Sequence, residues 1–166
     1  KHFIKDIKDI NYENLAISNK EGHVDFNIML EKKGKKVDLI KMDNSITPRN
    51  KKGVVYKQVT VPCTSLDYYF RTQTITNCSL WIDVEGHGLE CLQGAKNILD
   101  TSNFIKIEVE DKQYWKDQKL SADIVNFLDS KNFIPVIRDY QSPMQYNILF
   151  AKKDIVKTNT FRKCYE

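Results

Sequence analysis

An α/β fold with a largely parallel sheet is what this sequence predicts, and three observations carry the prediction. From residue 78 onward, strand-like and helix-like stretches alternate with short links, a pattern that favours parallel strands joined by helical crossovers. The last two apolar runs, "FIPVIRD" and "YNILFAKK", follow one another with no helix between them and predict a closing antiparallel pair. The chain has 166 residues, 41% hydrophobic and 29% charged, which suits one globular domain with a sizeable core.

Taken in order, "NYENLAIS" gives a short apolar run at Leu15, Ala16 and Ile17. "GHVDFNIML" alternates, with Val24, Phe26, Ile28 and Leu30 on one predicted face. "EKKGKK" is a charged turn at Gly34, and "MDNSITPRNKKG" a polar loop. "VVYKQVTVP" alternates through Val55, Lys57, Val59 and Val61, and Pro62 is expected to close it. This first third therefore reads as β-rich with hairpin connections.

"TSLDYYF" predicts a short helix with Ser65 as N-cap, and "CSLWIDV" a buried strand in which Trp81 packs. From Gly88 to Leu99 the apolar spacing is helical, with Cys91, Leu92, Ala95, Ile98 and Leu99 on one arc. "FIKIEVE" is a further strand, and "SADIVNFLDSKNF" a capped helix with Ile124, Val125 and Leu128 inward. The polar tail, residues 154–166, is expected to be loosely held.

Composition narrows the function classes. The net charge of +4 is mild, so nucleic acid is not expected as a partner. No apolar run approaches the ~20 residues of a membrane span, and there is no signal-peptide pattern. Cys63, Cys78, Cys91 and Cys164 show neither a CxxC pair nor zinc-ligand spacing, which reads as reduced thiols in a cytoplasmic protein.

The informative stretch is "LWIDVEGHGLECLQGA". In open α/β sheets, ligands bind beyond the carboxyl ends of the strands. Asp83 and Glu85 stand at that end of one predicted strand, Glu108 and Glu110 at that end of another. Four carboxylates would then share one crevice. Alternate spacing places Asp83, Glu85 and His87 on one side if the chain stays extended, although Gly86 and Gly88 permit a sharp turn. Three readings stay open on spacing alone. A carboxylate or His87 acts as general base on a hydroxyl; or Asp83, Glu85 and His87 ligate magnesium or manganese; or the acids simply favour a helix N-terminus.

"WIDVEGHGLECLQGA" resembles the D-V-E-G-x-E-x-x-x-L-x-G-A signature of the FkbM family of S-adenosylmethionine-dependent methyltransferases. "NLAISNKEGHVDFNI", "VTVPCTSLDYYF", "IKIEVE" and "YNILFAKK" resemble flanking family segments in order, over about residues 11–153. The resemblance implies a class I methyltransferase, Rossmann-like fold: a mostly parallel sheet with helices on both faces and strand order 3-2-1-4-5-7-6. It implies S-adenosylmethionine as methyl donor and a sugar, glycan or natural-product hydroxyl as acceptor.

Carried onto this chain, the resemblance assigns catalysis to Asp83, Glu85 and His87. It assigns acceptor binding to Glu108, Glu110 and Trp115, and donor binding to Asn14 and Ala16, with no metal ligands. Two departures stand out: Gly88 occupies the second acidic position of the motif, and no glycine-rich donor loop occurs. These imply a partial domain over residues 1–153, incomplete at its N-terminal side. Leu15–Ile17 would then lack a neighbour, the fourth strand would expose an edge, and the isolated chain would bind donor weakly. The alternative is a non-catalytic, methyltransferase-like module with an interaction role. Lys32, Lys33, Lys35, Lys36, Arg49, Lys51 and Lys52 form a basic cluster that either steers an anionic acceptor or RNA, or is a solvated hairpin tip. Tyr114 and Trp115 either stack on an acceptor or cap the core.

Overall fold

The computed structural model describes residues 10–38, 44–140 and 142–158. The fold is α/β, but its strands form two mixed four-stranded sheets in place of the expected single, mostly parallel one. The first contains β1 (Ala16–Ile17), β2 (Gly22–Lys32), β3 (Lys35–Lys36) and β4 (Val54–Thr64), in the order β1-β4-β2-β3, and is followed by α1 (Leu66–Tyr69). The second contains β5 (Cys78–Ile82), β6 (Ser102–Glu110), β7 (Phe133–Arg138) and β8 (Gln145–Lys152), in the order β5-β6-β8-β7. Helices α2 (Gly88–Gln93) and α3 (Lys96–Thr101) join β5 to β6, α4 (Ser121–Ser130) leads into β7, and α5 (Lys153–Val156) follows β8. The tail therefore begins as a helical turn; residues 159–166, with Cys164, lie outside the described residues.

Among the described residues, only β1/β4 and β5/β6 are parallel. The expectation that Leu15–Ile17 lacks a neighbour is corrected: Ala16 and Ile17 pair with Cys63 and Thr64, and the Ser18 N–H donates to Thr64 O at 3.0 Å. Pro62 does not end its strand. Because β1 reaches only Cys63 and Thr64, the Pro62 edge needs no N–H donor there, and β4 continues through it.

Alternation in β2 succeeds only in part. Val24 is buried, but so are Asn27 and Met29 on the opposite face, while Leu30 is exposed. A bulge between Met29 and Glu31 shifts the register there. The buried Asn27 is fully employed: its Nδ2 donates to Ser45 O and Ile46 O, and its Oδ1 accepts from Gln58. It ties the following loop to the sheet.

The core lies between the second sheet and its helices. Ile105, Ile107 and Phe150 face Leu92, Leu99 and Leu128, all essentially inaccessible to water. Each such side chain contributes about 1.5–3 kcal/mol relative to exposure. Trp81 is not buried as expected. It lies 73% exposed, because alternation along β5 sends it to the face opposite Leu80 and Ile82, which pack on the core. The Lys106 ammonium sits 4.5 Å from its ring centroid.

The predicted helix over 88–99 is broken in two at Gly94–Ala95. Gly94 packs so closely that a Cβ would stand 2.1 Å from Ser18 O. Beyond it, Asp67 accepts N–H bonds from Asn97 and Ile98 at 3.0–3.1 Å, capping α3 from a separate element because Ala95 offers no capping side chain. Ser65 caps α1 as predicted, its Oγ accepting from the Tyr68 N–H.

Candidate active site

β5 ends at Ile82, and three residues later the backbone turns through successive left-handed positions, Glu85 at φ 49° and Gly86 at φ 84°. Glycine is required at the second: a Cβ there would stand 2.4 Å from Trp115 Cγ and Cδ1. This turn separates the three residues that extended spacing would have aligned. Asp83 and Glu85 remain together and are joined by Glu108 from β6, with one carboxylate oxygen of each within 4.8 Å of the others. The acids closing two neighbouring strands do converge.

His87 is turned away from them. Its Nε2 lies 2.9 Å from Ser18 Oγ, its Nδ1 3.7 Å from Glu90 Oε2, and burial lowers its pKa more than Glu90 raises it. A neutral imidazole results. The magnesium or manganese set of Asp83, Glu85 and His87 is therefore not what the chain assembles, since Glu108 takes the third place.

A cavity of about 230 Å³ opens beside the turn, lined by Leu15, Ala16 and Ile17 on one side and Asp83, Glu85 and His87 on the other. Of the two residues expected to bind the donor, Ala16 lines this cavity and Asn14 is exposed and outside the lining. Ser45 and Ile46 complete the wall, with Ser45 Oγ donating to Glu85 O at 2.6 Å.

Glu110 is 3% exposed and accepts a hydrogen bond from Gln118 Nε2, whose Oε1 takes the Tyr114 and Trp115 N–H groups. Burial first, then the Glu108 charge, pushes the Glu110 carboxyl up to about 7. Burial and then Asp83 raise Glu108 as well. Trp115, expected either to stack on an acceptor or to cap the core, is completely buried; its indole packs on Gly86 and beneath the Arg49 guanidinium, 4.3 Å from the ring centroid. Its work is to hold the turn.

A model of the methyltransferase FkbM domain matches residues 4–135. The chain belongs to the FkbM methyltransferase family. No curated protein and no solved structure matches it. Among the described residues of this FkbM domain, no helix is long and apolar enough to cross a membrane.

Sequence reasoning missed the loop over residues 44–50. Read as polar surface, it folds inward: Asn50 N–H donates to Tyr114 O, Lys116 N–H to Pro48 O, and Arg49 leaves the basic cluster to lie over Trp115. Lys33, Lys35, Lys36, Lys51 and Lys52 stay exposed. The available signal was the isolated "TPR" within the lysine-rich run, an arginine suited to aromatic stacking where its neighbours are lysines.

Proposed function

We propose that this FkbM domain is a class I, S-adenosylmethionine-dependent O-methyltransferase acting on a hydroxyl of a sugar, glycan or natural-product acceptor. The observation that carries the reading is the meeting of Asp83, Glu85 and Glu108 beside the cavity walled by Leu15, Ala16 and Ile17. The sheet order β5-β6-β8-β7 supports it, since strands four, five, seven and six run in that order in the fold implied by the resemblance.

The cavity, at about 230 Å³, is below the roughly 300 Å³ at which small-molecule sites begin. Its residues fit the transferring end of the donor: an apolar wall at Leu15–Ile17, and carboxylates suited to a sulfonium charge. When bound, the donor supplies an activated methyl group. Asp83, Glu85 and Glu108 orient the acceptor hydroxyl and take its proton, with Glu108 better matched than an ordinary carboxylate because burial raises its basicity. His87, neutral and bonded to Ser18, holds part of the cavity wall.

The full-length protein, given tritiated-methyl donor and a set of glycan and natural-product hydroxyls, should label an acceptor. Asp83→Asn and Glu85→Gln should lower the rate by about 10²–10⁴; wild-type turnover in both would refute the site. A non-catalytic module is the second reading, favoured by the small cavity, and absence of donor binding in calorimetry would select it.

A further inference from the structure

The first sheet gathers two lysine runs, separate in the sequence, at one end of the molecule. Lys33 and Gly34, at φ 54° and 72°, form the two-residue turn that joins β2 to β3. The Lys33 N–H donates to Gly53 O at 2.8 Å, which brings the loop before β4 alongside that turn. Lys33, Lys35 and Lys36 from one run and Lys51 and Lys52 from the other are all exposed. Among the described residues, the acids of these two segments are Glu31 and Asp38, so the balance there is clearly basic.

An apolar feature shares that end. Leu30 is 38% exposed and Val55 49% exposed. Their chain neighbours Met29 and Tyr56 pair across the ladder, and alternation leaves Leu30 and Val55 together on the other face of the ribbon. Lysines on β3 alone would serve to blunt the edge of the sheet, where that strand lies. Lys51 and Lys52 are not on it, and two aliphatic side chains held out in water do nothing for an edge.

We infer that this end of the ribbon docks on an anionic lipid surface, with the lysines at the headgroups and Leu30 and Val55 dipping between them. Such a surface complements both features: its charge draws lysines in, and the apolar layer just beneath takes aliphatic side chains. A nucleic acid would use the charge alone. Its bases are gripped by aromatic rings and guanidinium groups, and neither an arginine nor an aromatic residue occurs at positions 30–37 or 51–55. Docking of this kind needs no spanning helix. Lys51 and Lys52 continue the loop that sets Ser45 at the cavity and Arg49 over Trp115, so the docking end and the candidate site share one segment. The inference goes beyond the methyl-transfer reading and does not depend on it.

The test is flotation of the full-length protein with vesicles of phosphatidylcholine alone or mixed with phosphatidylserine. At about 0.1 M salt the mixed vesicles should bind at least about tenfold more tightly, and at about 1 M the preference should vanish. Replacing Lys33, Lys35 and Lys36 together by Gln should weaken binding to the mixed vesicles by about tenfold or more. A matched triple, Lys96→Gln with Lys112→Gln and Lys119→Gln, removes exposed lysines elsewhere and should leave it unchanged. Leu30→Ser with Val55→Ser should weaken binding a few-fold and keep its dependence on salt. Circular dichroism confirms that each variant is folded. Equal binding to both vesicle types, equal loss in the two lysine triples, or capture by polyuridylate at about 0.1 M salt without capture by the mixed vesicles overturns the inference. No readout needs donor or acceptor, so an inactive protein that docks would sink only the catalytic reading.

Discussion

Replacing Glu110 by Gln should stabilise the protein, although it removes a charge that is hydrogen-bonded to Gln118. Burial and the neighbouring Glu108 move this carboxyl from its ordinary 4.5 to about 7. Between those values the native state holds a proton that the unfolded chain has released. Stability is therefore greatest below about pH 4.5, falls as pH rises towards 7, and levels off above it. A gap of about 2.5 at 1.36 kcal/mol each gives an upper bound of about 3 kcal/mol. Glutamine keeps the shape of the neutral acid and can still accept from Gln118 Nε2. At pH 8, Glu110→Gln should exceed the wild type by about 2–3 kcal/mol in urea denaturation, and at pH 4.5 by less than about 1 kcal/mol. The corresponding rise in melting temperature is about 4–12 °C for a chain of this length. A variant no more stable than wild type at pH 8, or a gap that does not widen from pH 4.5 to 8, would refute the reasoning.

Two further outcomes follow from the packing. Gly94→Ala should destabilise the protein by about 2–4 kcal/mol, because the new methyl would meet the Ser18 backbone at 2.1 Å and backbone cannot swing aside; urea denaturation measures it. Cys91, 2% exposed and with its thiol pushed up to about 12 chiefly by burial, should resist iodoacetamide at pH 8 while Cys78 reacts. Peptide mass mapping reads the difference, which urea should abolish.

The second sheet was legible in the sequence because its strands and helices carry their own periodicity: Ile105, Ile107 and Val109 alternate, and Ile124 and Leu128 recur at helical spacing. The convergence of Asp83 with Glu108 was legible too, since strand ends in an open sheet point one way. What could not be read were features set by contacts distant in sequence. Position 94 takes glycine because Ser18 O occupies the space a side chain would need. Trp115 is buried because a loop sixty-odd residues earlier folds Arg49 over it. Trp81 has the composition of a buried strand residue, but alternation puts it on the face of β5 turned away from the core. Gly86 was recognised as a possible bend, and its φ of 84° is what removed His87 from the acids.

The reach of Asp67 into the start of α3 gives the molecule a hinge pin. That side chain leaves the helix directly following β4 and fastens the helix that feeds β6, so the ribbon sheet and the sheet bearing the carboxylates share a joint without sharing a ladder. Loosening the ribbon would withdraw the joint and let the second strand's entry helix fray. Disturbance at the basic end of the molecule can thereby be felt, through this carboxylate beside the other contacts between the two halves, at the strand from which Glu108 and Glu110 project.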